Sequence, residues 1–177
     1  TGCSRHALLY APPRPTVDSL NVPVPGRVRR LAADRRPELA VFDSVREDPS
    51  LVCKRFERPP GKRALADALA GTPAFEAAVT GVDFFAEPTS GTSPVVYLTV
   101  ESPGLYRLHN GLVERFGAIP ELEGDEYDPH VTLARGGTVA DAERLAGPIT
   151  PVTWTVSRLL AWNATYRVPE REIPLPS

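Results

Sequence analysis

One succession of elements runs through this chain twice, and that repetition limits its fold more than any single motif does. Apolar periodicity and turn residues predict strand, helix, short strand, helix and strand over residues 20–85, and the same order again over 96–162. Val24-Pro25-Gly26 finds its counterpart in Ser102-Pro103-Gly104, and the helices that follow them match. Strand 75–85 corresponds to strand 152–162, and Asp48-Pro49-Ser50-Leu51 falls on His130-Val131-Thr132-Leu133. A period this long is not that of a solenoid. It predicts an α+β fold of two lobes related by a pseudo-twofold axis, in which two antiparallel sheets face a central cleft and the helices lie outside. Residues 16–177 then form a single bilobal domain, with the lobes meeting near 87–95.

Local signals carry this reading. Ser102 caps a helix whose stripe is Leu105, Leu108, Leu112, Val113 and Phe116, and Gly117 ends it. Pro25 opens an earlier helix with Val28, Leu31 and Ala32 on one side, and Pro37 is expected to stop it. Residues 50–56 and 95–101 read as strands, 61–70 as a short helix, and Thr138 with Asp141 caps another helix reaching Leu145. Val152, Trp154 and Val156 alternate with Thr153, Thr155 and Ser157, as in a half-buried strand. The tail, 166–175, is one more strand, interrupted by Pro169 and Pro174. Residues 1–15 hold three prolines and little periodicity, so they read as a loose extension, and His6 within it is assigned no chemistry.

Charge narrows the function. A net charge of -2 over 177 residues argues against the broad basic field that grips long nucleic acid, though a local pocket of a few arginines can still take a small anion. Cys3 and Cys53 make no disulfide framework, and no metal-type spacing occurs. No long apolar run suggests a membrane span or leader. A cytoplasmic monomer without cofactor or metal is the expectation.

The residues with the most chemistry are His130-Val131-Thr132-Leu133, just after Tyr127-Asp128-Pro129. On a strand His130 and Thr132 share a face while Val131 and Leu133 turn to the core. Arg135 is expected further along the His130 face. That sets a proton carrier, a hydroxyl donor and a cation along one cleft wall. Lys54 and Arg55 sit on alternate faces of the earlier strand, so one of them at most reaches the cleft. His109, among Leu105, Leu108 and Leu112, reads as a packed, hydrogen-bonded histidine. The acidic run 121–128 lacks calcium-loop spacing and reads as solvated.

Taken together, Tyr127-Asp128-Pro129-His130-Val131-Thr132-Leu133-Ala134-Arg135, the strand Leu51-Val52-Cys53-Lys54-Arg55-Phe56, the duplicated order and the closing Tyr166…Ile173-Pro174-Leu175 resemble the two-histidine phosphoesterase superfamily. The similarity covers residues 17–176 and is greatest to the 2′-5′ RNA ligase or LigT-like cyclic phosphodiesterase branch, its archaeal members above all. The resemblance implies a metal-independent phosphoesterase acting on RNA ends or small cyclic nucleotides, opening 2′,3′-cyclic phosphates or reversibly forming 2′-5′ bonds. In such a family each lobe supplies a histidine and a hydroxyl residue. Here it assigns His130 and Thr132 in one lobe and Ser50, with Asp48 at the histidine position, in the other. It further implies phosphate contacts from Arg135, Lys54 or Arg55, and base stacking by Tyr166.

Asp48 is the departure. A tighter register would put Pro49 at that position, and neither residue supplies an imidazole. A carboxylate accepts a proton at neutral pH but does not readily give one up, and it repels a phosphate. Asp48 as base with His130 as acid is one division of labour. A binding module that kept the cleft and lost turnover is the alternative.

Overall fold

The centre of the molecule is a pair of short antiparallel strands, β3 (Leu51–Arg55) and β6 (His130–Arg135), that touch at one residue pair, Leu51 with Val131. The computed structural model describes residues 16–88 and 91–176, so the expectations for the extension, including Cys3 and His6, lie outside the described residues. β6 continues into β5 (Val95–Glu101), β4 (Phe75–Phe85) and the edge strand β7 (Gly147–Val156). On the other side β3 continues into β1 (Ser19–Val22), β8 (Arg158–Asn163) and the edge strand β9 (Val168–Pro174). A two-residue strand, β2 (Ser44–Val45), adds to β6. All these pairings are antiparallel, and the sheet is open. The two expected sheets are thus two four-stranded halves joined by a single bridge.

The halves are built alike but not from successive stretches of chain. β4 lies beside β5, and β8 lies beside β1 with β9 beyond it, so the first half of the sequence lends one strand to the other's sheet and the second half lends two. The chain therefore enters the second half at β4, before the 87–95 connection. The strand expected over 152–162 divides at Ser157, where β7 ends beside β4 and β8 begins beside β1. Proline positions follow the sheet edges: Pro169 and Pro174 lie on β9, an edge strand, where proline is tolerated in a sheet.

Helices close the apolar face. α1 (Gly26–Asp34) buries Val28 and Ala32; α3 (Lys62–Leu69) buries Leu65 and Leu69. α4 (Pro103–Phe116) buries Leu105, Leu108, His109 and Leu112, and Ser102 caps it by accepting from the Leu105 N–H at 3.1 Å. α5 (Val139–Leu145) follows the Thr138 cap. α1 ends at Asp34, ahead of Pro37 as expected, and Pro37 sits in the first turn of a short new helix, α2 (Arg36–Leu39), where its missing N–H is tolerated. Leu20, Leu51, Val131, Leu98, Leu105 and Leu159 are fully buried in the core, each worth about 2–5 kcal/mol if cut to alanine.

Candidate active site

β3 and β6 superpose residue for residue about the Leu51–Val131 bridge, because paired residues on a dyad are each other's equivalents. Asp48-Pro49-Ser50-Leu51-Val52-Cys53-Lys54-Arg55 then falls on Asp128-Pro129-His130-Val131-Thr132-Leu133-Ala134-Arg135. Two independent features fix this register. Exposure runs in step: both aspartates are exposed, both prolines buried, Ser50 and His130 half-buried, and Val52 and Thr132 half-buried. Both strands also carry a bulge at the same point, with Cys53 the extra residue opposite Leu20 and Asn21, and Leu133 the extra residue opposite Val96 and Tyr97.

This register differs from the sequence expectation by two residues. Asp48 stands opposite the role of Asp128, not of His130. Ser50 takes the place of the imidazole, and Val52 takes the place of the Thr132 hydroxyl. Neither the Asp48 register nor the tighter Pro49 register of the sequence reading matches this pairing, and the shared Asp-Pro dipeptide is the signal that points to it.

The bulges decide which cations reach the cleft. Strict alternation would turn Arg135 away from His130; the extra residue at Leu133 turns it back, and both line one cleft of about 1720 Å³. The bulge at Cys53 does the same for Arg55, beside Ser50 and Val52. Lys54 is thereby sent inward, and its expected phosphate contact is corrected. It is 1% exposed, and its Nζ donates to Glu123 Oε1 at 2.5 Å and to the Arg55 carbonyl at 2.6 Å. Tyr166 sits exposed in the β8–β9 turn, and its ring is not part of the cleft lining.

Glu123 also corrects the reading of the acidic run as solvated. Its carboxylate is buried and accepts from the backbone N–H groups of Arg55 at 2.9 Å and Ile119 at 3.0 Å. His109 completes the clamp. Its Nδ1–H donates to the carbonyl of the bulge residue Cys53 at 2.8 Å, and its Nε2 accepts from the Gly124 N–H at 3.0 Å. Burial holds its pKa below the ordinary histidine value, and its ring stacks on Tyr127 at 3.7 Å. Tyr127 in turn donates its hydroxyl proton to the Val52 carbonyl at 2.7 Å. The expectation of a packed histidine is met. These bonds tie the loop before His130 to β3, and so hold the two motif strands in register. The Cys53 thiol is pushed up to about 12 by burial, which leaves it unreactive.

His130 itself is well placed for proton transfer. Its ring lies edge-on to Phe85 at 5.3 Å and against Tyr97 at 5.2 Å. Nδ1 lies 2.7 Å from the Asp128 carbonyl oxygen, which can only accept, so the neutral ring carries its proton there and offers Nε2 as the base. Removal from water lowers its pKa, with Arg55 and Arg135 adding to the effect and Asp128 opposing it. Partial desolvation pushes the Asp128 carboxyl up. Among the described residues His130 is the one histidine of the cleft, and no cluster of three His, Cys, Asp or Glu side chains is placed to hold a metal ion. No described helix is long and apolar enough to cross a membrane.

A duplicated α+β fold whose paired motif strands line one cleft of mixed charge, with six arginines and eight carboxylates among the described residues, defines the class of protein. The model of the 2′-5′ RNA ligase superfamily matches residues 39–165, and the chain belongs to that superfamily. Solved structures similar to it include TT0787 of Thermus thermophilus, at 19% identity over 89% of this chain and 96% of that one, with a TM-score of 0.61. LigT of E. coli complexed with NADP+ is 20% identical over 92% of this chain and 99% of LigT, with a TM-score of 0.60. LigT complexed with 3′-AMP is 19% identical over 91% and 95%, with a TM-score of 0.59. At these identities the structures speak for the fold. No curated protein matches the chain in sequence.

Proposed function

We propose that this chain is a metal-independent phosphoesterase of RNA ends or small cyclic nucleotides, working with one histidine where two would be used. The observation that carries the reading is a neutral, base-ready His130 beside Thr132 and Arg135 in an arginine-lined cleft. Membership of the superfamily and the likeness to LigT support it.

In the proposed reaction a water molecule attacks the phosphorus of a 2′,3′-cyclic phosphate while His130 Nε2 takes its proton. One ring P–O bond breaks, and the departing ribose oxygen takes a proton either from the imidazolium formed or from solvent. The Thr132 hydroxyl donates to a non-bridging oxygen, and Arg55 and Arg135 offset the charge that collects there. Ser50 supplies a second hydroxyl across the dyad. Joining ends through a 2′-5′ bond is the same displacement with a 5′-ribose hydroxyl in place of water: it attacks the phosphorus, the P–O3′ bond breaks and the 3′ oxygen takes the proton, and the reverse step cleaves the 2′-5′ bond. Without a second imidazole the acid step is poorly served, and loss of one acid–base partner costs about 10²–10⁴ in rate.

That deficit favours a second reading: a binding module for phosphate-bearing RNA termini or nucleotides. The observation behind it is Ser50 and Val52 at the positions equivalent to His130 and Thr132. Incubation with a 2′,3′-cyclic nucleotide in the presence of chelator separates the two. Hydrolysis by the wild type that His130→Ala abolishes supports the enzyme. Equal signal in wild type and His130→Ala removes it, and hydrolysis that appears only in Ser50→His establishes the binding module.

A further inference from the structure

Two arginines outside both motif strands line the same cleft as Arg55 and Arg135. Arg46 follows β2 and is fixed by its backbone N–H, which donates to the bulge carbonyl of Leu133 at 2.8 Å. Arg167 stands in the β8–β9 turn with a φ of 56°, a left-handed conformation that carries a penalty for any residue with a Cβ.

Other cleft arginines are engaged. Arg158 pairs with Glu172 at 3.0 Å, and Arg29 donates to the Val24 carbonyl at 3.1 Å. Among the described residues Arg46, Arg55 and Arg167 form no salt bridge, although Glu47 and Asp48 adjoin Arg46 and line the same cleft. Arg46, Arg55, Arg135 and Arg167 all line the cleft, and burial, with the fields of the other three arginines added, lowers the Arg46 pKa. Arginines gathered along one cleft wall match an anion with more than one charge centre. The cleft, at about 1720 Å³, also exceeds the ~300–1,000 Å³ usual for a small ligand.

We propose that Arg46 and Arg167 form a second anion subsite, which takes a second phosphate on the same ligand whose reacting phosphate lies at His130 and Thr132. This rests on the phosphoester reading above and extends it to the ligand's far end. The second phosphate has two possible sources: the preceding phosphodiester of an RNA strand, or the 5′-phosphate of a small nucleotide.

Calorimetric titration in chelator tests this with three ligands: adenosine 2′,3′-cyclic phosphate, its 5′-phosphorylated form, and a diribonucleotide ending in a 2′,3′-cyclic phosphate. The wild type is expected to bind at least one doubly charged ligand about tenfold tighter than the first, and the ligand showing the gain identifies the source. Arg46→Gln and Arg167→Gln each erase that gain while leaving affinity for adenosine 2′,3′-cyclic phosphate within about twofold, and Arg46→Lys keeps part of it. No gain in the wild type, or equal weakening of all three ligands in both glutamine variants, overturns the subsite. If the wild type binds no adenosine 2′,3′-cyclic phosphate, the phosphoester reading fails by itself. The subsite is then judged with inorganic pyrophosphate, whose binding must weaken in Arg46→Gln and Arg167→Gln, or the subsite fails too.

Discussion

β3 and β6 share backbone course, bulge and burial, yet they differ in what they carry into the cleft. β6 offers His130, Thr132 and Arg135; the equivalent positions around β3 hold Ser50, Val52 and Arg55. Both strands carry the cation, while only β6 carries an imidazole and only β6 carries a hydroxyl at the position of Thr132. Backbone geometry in a duplicated fold is thus retained by packing demands that are indifferent to the groups facing solvent. Cys53 and Leu133 are both buried bulge residues, and the carbonyl of each finds a partner, His109 in one case and the Arg46 N–H in the other. Scaffold and chemistry have separated on one side of the dyad only.

The sharpest way to break this comparison is at its intact side. His130→Ala is expected to lower turnover of a 2′,3′-cyclic nucleotide by about 10²–10⁴, read as kcat/KM in chelator. A comparable loss in Val52→Ala would mean that the two strands do not divide the work as described.

Next comes the clamp that registers the strands. Lys54→Ala leaves Glu123 buried without its counter-charge, at a cost of about 3–5 kcal/mol in denaturant-induced unfolding. A loss below about 1 kcal/mol would show that the pair is open to water and plays no part in aligning β3 with the loop before His130.

Restoring the missing groups sharpens the comparison further. Ser50→His with Val52→Thr is expected to raise kcat/KM about tenfold to a hundredfold. That falls short of the full acid–base contribution because the neighbours that would orient the new ring are absent. Asp48→His, two residues away, is expected to leave the rate within about twofold. A larger gain from Asp48→His than from Ser50→His would restore the offset read from the sequence.

The smallest effect is on pH. The His130 pKa is lowered, so its basic form is present at neutral pH and is lost only as pH falls below the ordinary histidine range. The wild-type profile of kcat/KM should therefore rise once, below about 6.5, and then stay flat toward alkali. The Ser50→His variant, with an acid to lose, should bend down at higher pH. A bell-shaped wild-type profile would reveal a second titrating group at work.

Much of this was legible in the order of elements and in two short tracts. Strand alternation placed His130 and Thr132 together on one face, and the helix stripe around Leu105 and Leu112 placed His109 in the interior. Bulges were not legible, because one extra residue leaves no mark in composition, yet they decide that Arg55 and Arg135 face the cleft while Lys54 turns inward. The fate of the run 121–128 was hidden for a related reason. A carboxylate is buried only when distant groups satisfy it, and the partners of Glu123 come from β3, far off in sequence. The strand exchange is not legible in the sequence, because local periodicity says nothing of which neighbour a strand will choose.

That exchange bears on how such a chain could be taken apart. A cut in the 87–95 connection yields two fragments: the first carries β4, which fits between β5 and β7 of the second, and the second carries β8 and β9, which add to the edge of β1 in the first. Neither piece has a finished sheet to itself, so the fragments should gain order only on mixing, like interlocked hands. An ancestor of half this length would have met the same need, and a second copy of itself would have answered it.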